Sequence, residues 1–109
     1  MPVDQTKRWR LVAAVAILAL TSSAATAGEV IQVKIKNLAF SPAQVTAHVG
    51  DSIEWVNEDF VGHTATGKNK EWDVNIPGNR SGRVVLDRAG KIDYFCRFHP
   101  AMIGTITVD

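Results

Sequence analysis

Charge of one sign is what this sequence most clearly lacks. Its 12 lysines and arginines are balanced by 11 aspartates and glutamates, for a formal net charge of +1. Beyond the first ten residues there is no basic run, and there is no acidic tail. Proteins that bind nucleic acid carry clustered basic residues, so this composition argues against a nucleic-acid partner.

The sequence also lacks an apolar run long enough to span a membrane. The longest, residues 11–20, is about half of the roughly 20 residues that a transmembrane helix needs. Basic residues precede this run and small residues ending in Ala-Thr-Ala follow it, which is the pattern of a secretory signal peptide. We therefore predict a cleaved signal peptide over residues 1–27, export to the periplasm, and a mature domain over residues 28–109 with no stable membrane insertion. An uncleaved N-terminal anchor is the alternative.

Cysteine is nearly absent, since Cys96 is the only one in the chain. A single cysteine excludes an internal disulfide, which is the usual staple of a small exported domain. A free thiol in an oxidising compartment needs protection, and a bond to a metal provides it. The scarcity of cysteine therefore already points to a metal site.

The residues after Cys96 strengthen this interpretation. His99 follows it by three residues and Met102 follows His99 by three more. A thiolate, an imidazole and a thioether on one short loop are soft ligands that suit copper. Pro100 stiffens the loop by restricting its own backbone and that of His99. The loop thus supplies three ligands, and a second imidazole is needed to complete the site.

Two histidines outside the loop could supply that imidazole. His48 lies on the polar face of an alternating segment, beside Gln44 and Thr46, so we expect it to point to solvent. His63 lies in an irregular segment, and binding residues gather on the loops at the end of a β-scaffold. We therefore predict His63 as the second imidazole ligand.

Short segments of alternating apolar and polar residues fill the mature chain, and none shows a useful helical period. They predict strands at residues 31–36, 45–49, 52–57, 63–66, 72–74, 84–86, 92–96 and 103–108, with residues 37–42 as a break. Several short strands separated by turn residues indicate an all-β fold, a Greek-key β-sandwich of about seven to eight strands in two sheets.

The sequence resembles the cupredoxins, the small type 1 (blue) copper proteins, most closely the amicyanins and more loosely the plastocyanins and pseudoazurins. The short ligand loop is similar to that of the amicyanins. The motifs that carry the resemblance span most of residues 28–109: Phe40-x-Pro42, Gly50-Asp51, Trp55-x-Asn57, His63-Thr64, Gly90, Tyr94-x-Cys96 and Cys96-x-x-His99-Pro100-x-Met102.

This resemblance implies a copper site and a role. His63, Cys96 and His99 are expected to hold one type 1 copper ion in a trigonal set, with Met102 as the axial ligand. The protein is then expected to be a monomeric one-electron carrier that cycles between Cu(I) and Cu(II). Its expected partners are soluble redox proteins, a c-type cytochrome or a periplasmic dehydrogenase, that dock transiently near His99. Asn57 and the amide of Thr64 are expected to support the ligands.

The chain departs from its relatives around this site. Many relatives have asparagine after the first histidine, where this chain has Thr64, which keeps the amide but changes the side chain. Arg97, Phe98 and Ala101 also differ from the amicyanins, so the partner of amicyanin is not assumed.

A copper chaperone or storage protein of the same fold is the alternative function. Exposed or methionine-rich sites suit that role better, and Met102 is the only methionine after residue 1. A copper enzyme would need a second copper centre with several additional histidines, and the chain has three histidines in all. We therefore do not expect an enzyme.

Overall fold

The computed structural model describes residues 28–109, and within this range it consists of β-strands, turns and loops. The predicted signal peptide, residues 1–27, lies outside the described residues. No helix in residues 28–109 is long and apolar enough to cross a membrane. The strands are β1 (Val30–Lys36), β2 (Ala39–Ser41), β3 (Gln44–Ala47), β4 (Ser52–Asn57), β5 (His63–Gly67), β6 (Asp73–Ile76), β7 (Ser81–Val85), β8 (Gly90–Phe95) and β9 (Ile103–Val108).

The nine strands form two sheets. One has four strands in the order β2-β1-β4-β7, and the other has five in the order β3-β9-β8-β5-β6. Both are mixed, because β1 pairs with β4 and β3 pairs with β9 in parallel while the other neighbours are antiparallel. The predicted all-β sandwich of two sheets is confirmed, with nine strands instead of about seven to eight.

The strand that the prediction missed is β2, which lies inside the predicted break at residues 37–42. Asn37 and Leu38 both have positive φ angles, 51° and 60°, and the flanking Lys36 and Ala39 pair across the hairpin. Positive φ at both central residues is the geometry of a type I′ hairpin turn, whose usual sequence signal is Asn-Gly. Leucine at the second position hides that signal, so the alternation alone gave no reason to expect a hairpin here.

Alternating residues from both sheets meet in one apolar core. Its centre is aromatic: Nε1 of Trp55 donates to the hydroxyl of Tyr94 at 3.2 Å, and the two rings meet edge to face. Burial raises the pKa of Tyr94 to about 12. Tyr94 lies across the backbone of Gly104, where an added Cβ would be 2.4 Å from the ring. The core side chains with no exposed surface are Val33, Ile35, Ile53, Trp55, Ala65, Ile76, Tyr94, Cys96 and Ile106, and the polar residues His63 and Thr64 are equally buried.

Asp51 ties the start of the domain to the turn before β4. Its carboxylate accepts from the amide of His48 at 2.8 Å and from the amide of Glu29 at 2.9 Å. These two bonds, that of His48 first, hold the pKa of Asp51 below its ordinary value. A carboxyl whose pKa is lower in the folded state stabilises the fold above its unfolded pKa of about 4, and that contribution disappears as the pH falls through the folded pKa.

Replacing Asp51 by asparagine should therefore weaken the dependence of stability on acid pH. The free energy of unfolding of the variant should be lower than that of the parent at pH 7, and the difference should shrink below about pH 4. Urea unfolding of both proteins at pH 7 and at a pH below about 4 measures this difference. Asp87→Asn, at an exposed loop position, is the matched control. A difference between parent and variant that is the same at both pH values would contradict this role of Asp51.

Candidate metal centre

Two successive β-turns shape the loop after β8. The amide of His99 donates to the carbonyl of Cys96 at 3.3 Å, and the amide of Met102 donates to the carbonyl of His99 at 2.8 Å. The amide of Cys96 donates back to the carbonyl of Met102 at 3.1 Å and closes the loop. Pro100 is the second residue of the second turn, the position that proline favours. The two-residue gaps in the sequence are thus the central pairs of two turns.

His63 reaches the same end of the sandwich from the other side. The sequence predicted a short strand over residues 63–66 within an irregular connection, and His63 is indeed the first residue of β5, opposite Ile76 of β6, with a fully buried side chain. The preceding residues are held by Asn57, whose Nδ2 donates to the carbonyl of Val61 at 2.9 Å and whose Oδ1 accepts from the amide of Asp59 at 2.9 Å. The last residue of β4 thus positions the segment that leads into His63.

Asp59 orients the imidazole ring of His63. Nε2 of His63 donates to Oδ2 of Asp59 at 2.9 Å, because an ionised carboxylate can only accept. In the neutral ring the proton then lies on Nε2, and Nδ1 keeps a free lone pair for a metal. The amides of Leu38 and Asn37 also donate to this carboxylate. The Leu38 amide is the largest of the causes that lower the pKa of Asp59, which stays ionised.

The sequence prediction missed Asp59. It precedes His63 by four residues, a spacing that brings two side chains together on a helix but predicts no contact on a strand or in an irregular loop. The hairpin turn at Asn37 and Leu38, which Asp59 also caps, was not visible in the sequence either. Asp59 could be recognised only after the β1–β2 turn and the start of β5 were both placed.

The three donor atoms converge at a spacing that suits one shared metal ion. Sγ of Cys96 lies 3.7 Å from Nδ1 of His63 and 3.8 Å from Nδ1 of His99, and the three atoms lie within 4.8 Å of one another. Typical bonds of about 2.3 Å to sulfur and 2.0 Å to nitrogen place the two atoms about 3.7 Å apart at an angle of 120°. A tetrahedral angle would place them about 3.5 Å apart. The observed distances lie close to both values, so one metal ion could bond to all three atoms.

The donor set suits copper in its chemistry as well as its spacing. Two neutral imidazoles and a thiolate with a weak thioether nearby form the type 1 copper set. Cys96 is fully buried, Met102 is 4% exposed, and both belong to the apolar core. A type 1 copper ion therefore fits this site.

His48 stands outside this cluster, as the sequence predicted. Its side chain is 76% exposed and lies 3.9 Å from the carboxylate of Asp109. Within residues 28–109, His63, Cys96 and His99 form the one cluster of three or more histidine, cysteine or acidic side chains whose donor atoms converge.

Thr64 supports Cys96 through its backbone amide and supports the following residue, Arg97, through its hydroxyl. Its amide lies 3.4 Å from Sγ of Cys96 and donates to the sulfur, and its hydroxyl accepts from the amide of Arg97 at 2.8 Å. The expected contact of the Thr64 amide with the thiolate is therefore present. Such a bond favours the negatively charged thiolate and helps to set the potential of a bound metal.

The two histidine rings differ in their access to solvent. They meet edge to face with centroids 5.1 Å apart, but the ring of His63 is fully buried and His99 is partly exposed. The residues next to His99 in the loop, Phe98 and Pro100, are exposed. His99 therefore connects the buried cluster to the surface.

The family model of the cupredoxin-like domain matches residues 10–108 of the chain. Amicyanin from Paracoccus versutus is 24% identical over 87 residues, which cover 74% of this chain and 66% of that protein. Plastocyanin from Scenedesmus fuscus is 37% identical over 86 residues, which cover 65% of this chain and 87% of that protein. The chain thus spans about two thirds of the length of its amicyanin relative.

Solved structures give the same result. The crystal structure of Paracoccus versutus amicyanin matches with a TM-score of 0.66 and 27% identity, over 73% of this chain and 81% of that one. A purple cupredoxin from Nitrosopumilus maritimus matches in fold with a TM-score of 0.66 and 24% identity, over 72% of this chain and 99% of that one.

Proposed function

Because the chain belongs to the cupredoxin-like family, we propose that it is a periplasmic one-electron carrier with a single type 1 copper ion. His63, Cys96 and His99 would hold the ion through their converging donor atoms, and the thioether of Met102 would be a weaker fourth ligand. The convergence of the two Nδ1 atoms and the Cys96 Sγ at distances that one metal ion can bridge carries this proposal. Copper supplies the change of one electron between Cu(I) and Cu(II).

The protein residues keep the ligands still during that change. Asp59 fixes the ring of His63, Thr64 holds Cys96, and the two turns fix His99 relative to Cys96. Ligands held by a rigid sheet in one geometry need little rearrangement when the charge of the ion changes. The contacts that hold the ligands rigid also make the release of copper to an acceptor difficult. They therefore favour a carrier over a chaperone.

Direct loading of the protein tests the metal assignment. We expect one copper ion per chain after reconstitution with Cu(II), and retention of copper during dialysis against an excess of zinc, since copper binds such donor sets more tightly than zinc. Loss of copper to zinc, or more than one tightly bound copper per chain, would contradict the proposed site.

Export and processing form a separate part of the proposal. The N-terminal sequence pattern supports a signal peptide over residues 1–27 and a periplasmic location for residues 28–109. N-terminal sequencing of the protein from a periplasmic extract should start at Gly28. A protein recovered from the membrane fraction with its N-terminus intact would support the uncleaved anchor instead.

Electrons should enter and leave near His99, through an exposed apolar surface. Phe98, Pro100 and Ala101, which flank His99 on the ligand loop, are all exposed. Three further exposed residues that the sequence prediction missed lie on the neighbouring loops at this end. They are Leu38, whose amide contacts Asp59, and Phe60 and Val61, which shortly precede His63. We call these residues together the ligand-end patch. Its large side chains are Phe60 (91% exposed), Phe98 (54%), Val61 (52%) and Leu38 (49%).

An exposed patch of a few large apolar side chains suits a brief encounter with a redox partner such as a c-type cytochrome or a dehydrogenase. Strong complexes would slow the release that repeated electron transfer requires. The near-neutral composition fits contact through apolar residues, with little long-range attraction between charges.

Replacing Phe60 by serine should slow electron exchange without changing the copper site. Oxidised and reduced copies of the protein exchange electrons when their patches meet, so this measurement needs no knowledge of the natural partner. We expect the self-exchange rate, measured by NMR line broadening, to fall about tenfold, the effect of losing about 1.4 kcal/mol of encounter energy.

Val85→Ser is the matched control for that experiment. Val85 is also an exposed apolar residue, 61% accessible, but it lies on β7 at the edge of the four-stranded sheet. Its replacement should leave the self-exchange rate unchanged. Equal slowing by Phe60→Ser and Val85→Ser would argue against docking through the ligand-end patch.

A further inference from the structure

A closed ring of hydrogen bonds lies behind the ligand loop. The amide of Arg97, the residue after Cys96, donates to Oγ1 of Thr64 at 2.8 Å. The hydroxyls of Thr64 and Thr66 are 3.0 Å apart, and Oγ1 of Thr66 donates to Oδ1 of Asp73 at 2.7 Å. Nε of Arg97 donates to the same carboxylate oxygen at 3.1 Å. The ring thus leaves Arg97 through its backbone and returns to it through its side chain.

The carboxylate at the far side of the ring sets the direction of its hydrogen bonds. An ionised carboxylate only accepts, and a hydroxyl has a single proton to donate. Thr66 uses its proton on Asp73, so Thr64 must be the donor in the bond between the two hydroxyls. A hydroxyl that donates becomes a better acceptor, which strengthens the bond from the Arg97 amide to Thr64.

Thr64 is the point at which this ring meets the metal centre. The residue is fully buried and its amide donates to Sγ of Cys96 at 3.4 Å, while its hydroxyl holds the next residue of the loop. Arg97 is the second residue of the first turn, the one that sets His99 relative to Cys96. Thr64 also follows His63 directly in β5. The ring therefore joins the two chain segments that carry the three converging ligands.

We propose that Thr66 and Asp73 are positioning residues for the copper centre, acting through Thr64 and Arg97. The inference rests on the proposed function of the site. The ion pair of Arg97 and Asp73 is exposed, and such a pair adds little to stability by itself. The ion pair instead helps to fix the geometry of the first turn of the ligand loop, in which Arg97 is the second residue. Removal of partners that hold metal ligands typically lowers metal affinity 10- to 100-fold.

Thr66→Val tests this role, because valine keeps the β-branched shape and removes the hydroxyl. We expect about tenfold weaker copper binding, a displaced visible absorption band and midpoint potential, and faster exchange of the Arg97 amide hydrogen with solvent. Thr66→Ser should restore all of these. Asp73→Ala, at an exposed carboxylate, should act in the same direction as Thr66→Val.

Thr105→Val is the matched control. Oγ1 of Thr105 donates to Oδ1 of Asp93 at 2.9 Å in the same sheet, away from the ligand loop, so this variant loses the same kind of bond. If Thr66→Val and Thr105→Val have the same copper affinity, absorption band and Arg97 amide exchange, the positioning role is wrong.

Amide exchange is also measured without metal, so that the ring can be judged separately from the proposed function. A parent protein whose copper form has no thiolate absorption band would refute the electron-carrier proposal. Unchanged Arg97 exchange in the metal-free Thr66→Val protein would refute the ring, whatever the spectrum of the parent.

Discussion

Replacing Cys96 by serine should abolish the blue colour of the copper-loaded protein. The visible transition of a type 1 site starts on the thiolate sulfur, and a serine hydroxyl neither ionises at neutral pH nor binds copper as a soft ligand. The buried cluster would keep two imidazoles, which hold Cu(II) more weakly and without strong visible absorption. Absorption spectra and copper titrations of the two proteins measure the effect.

The fold should survive this substitution, since serine and cysteine have similar shapes. Circular dichroism of the metal-free proteins checks that the β-sandwich is unchanged, and Thr105→Ser serves as a conservative control in the neighbouring strand. A Cys96→Ser protein that is folded and still blue would show that Cys96 is not the copper ligand.

Asn57→Ala should have the largest effect on stability among single replacements near the site. Asn57 is 2% exposed, and its Nδ2 faces the carbonyls of Val61, Ile76 and Pro77 at 2.9, 3.2 and 3.3 Å. Its Oδ1 also accepts from the amide of Asp59. A buried polar group left without its partner costs about 1–3 kcal/mol, so we expect the free energy of unfolding to fall by about 3 kcal/mol.

The same substitution should weaken copper binding, because the freed segment includes Asp59 and leads into His63. Urea unfolding gives the stability and copper titration gives the affinity. Asn75→Ala, at an exposed position of β6, is the control and should change stability by no more than about 0.5 kcal/mol. If Asn57→Ala lowers the free energy of unfolding by no more than Asn75→Ala does, the side chain of Asn57 does not hold the loop.

Much of the site could be predicted because three of its proposed ligands are local in sequence. Cys96, His99 and Met102 lie on one loop whose two-residue gaps are β-turns. The alternating pattern placed His48 on a polar face, where it is exposed, so His63 was the only histidine left to complete the site. Alternation of apolar and polar residues likewise predicted most strands. Their order in the two sheets followed from no local pattern.

The parts that could not be predicted depend on contacts between distant segments. Asp59 acts through a hairpin turn 21 and 22 residues away in sequence, which the leucine at position 38 disguised. The ring of Thr66, Asp73 and Arg97 needs the register of β5 against β6 and the course of the ligand loop. Phe60 likewise looked like an ordinary apolar residue until its exposure was known.

The most direct test of the copper carrier is a redox titration of the copper-loaded protein followed by its visible spectrum. A type 1 carrier should show a strong visible band on oxidation that disappears on reduction, with a reversible one-electron curve and one copper ion retained throughout. A copper-loaded protein without this band, or one that gives up its copper to an acceptor on reduction, would contradict the proposed function and support a copper chaperone or storage protein.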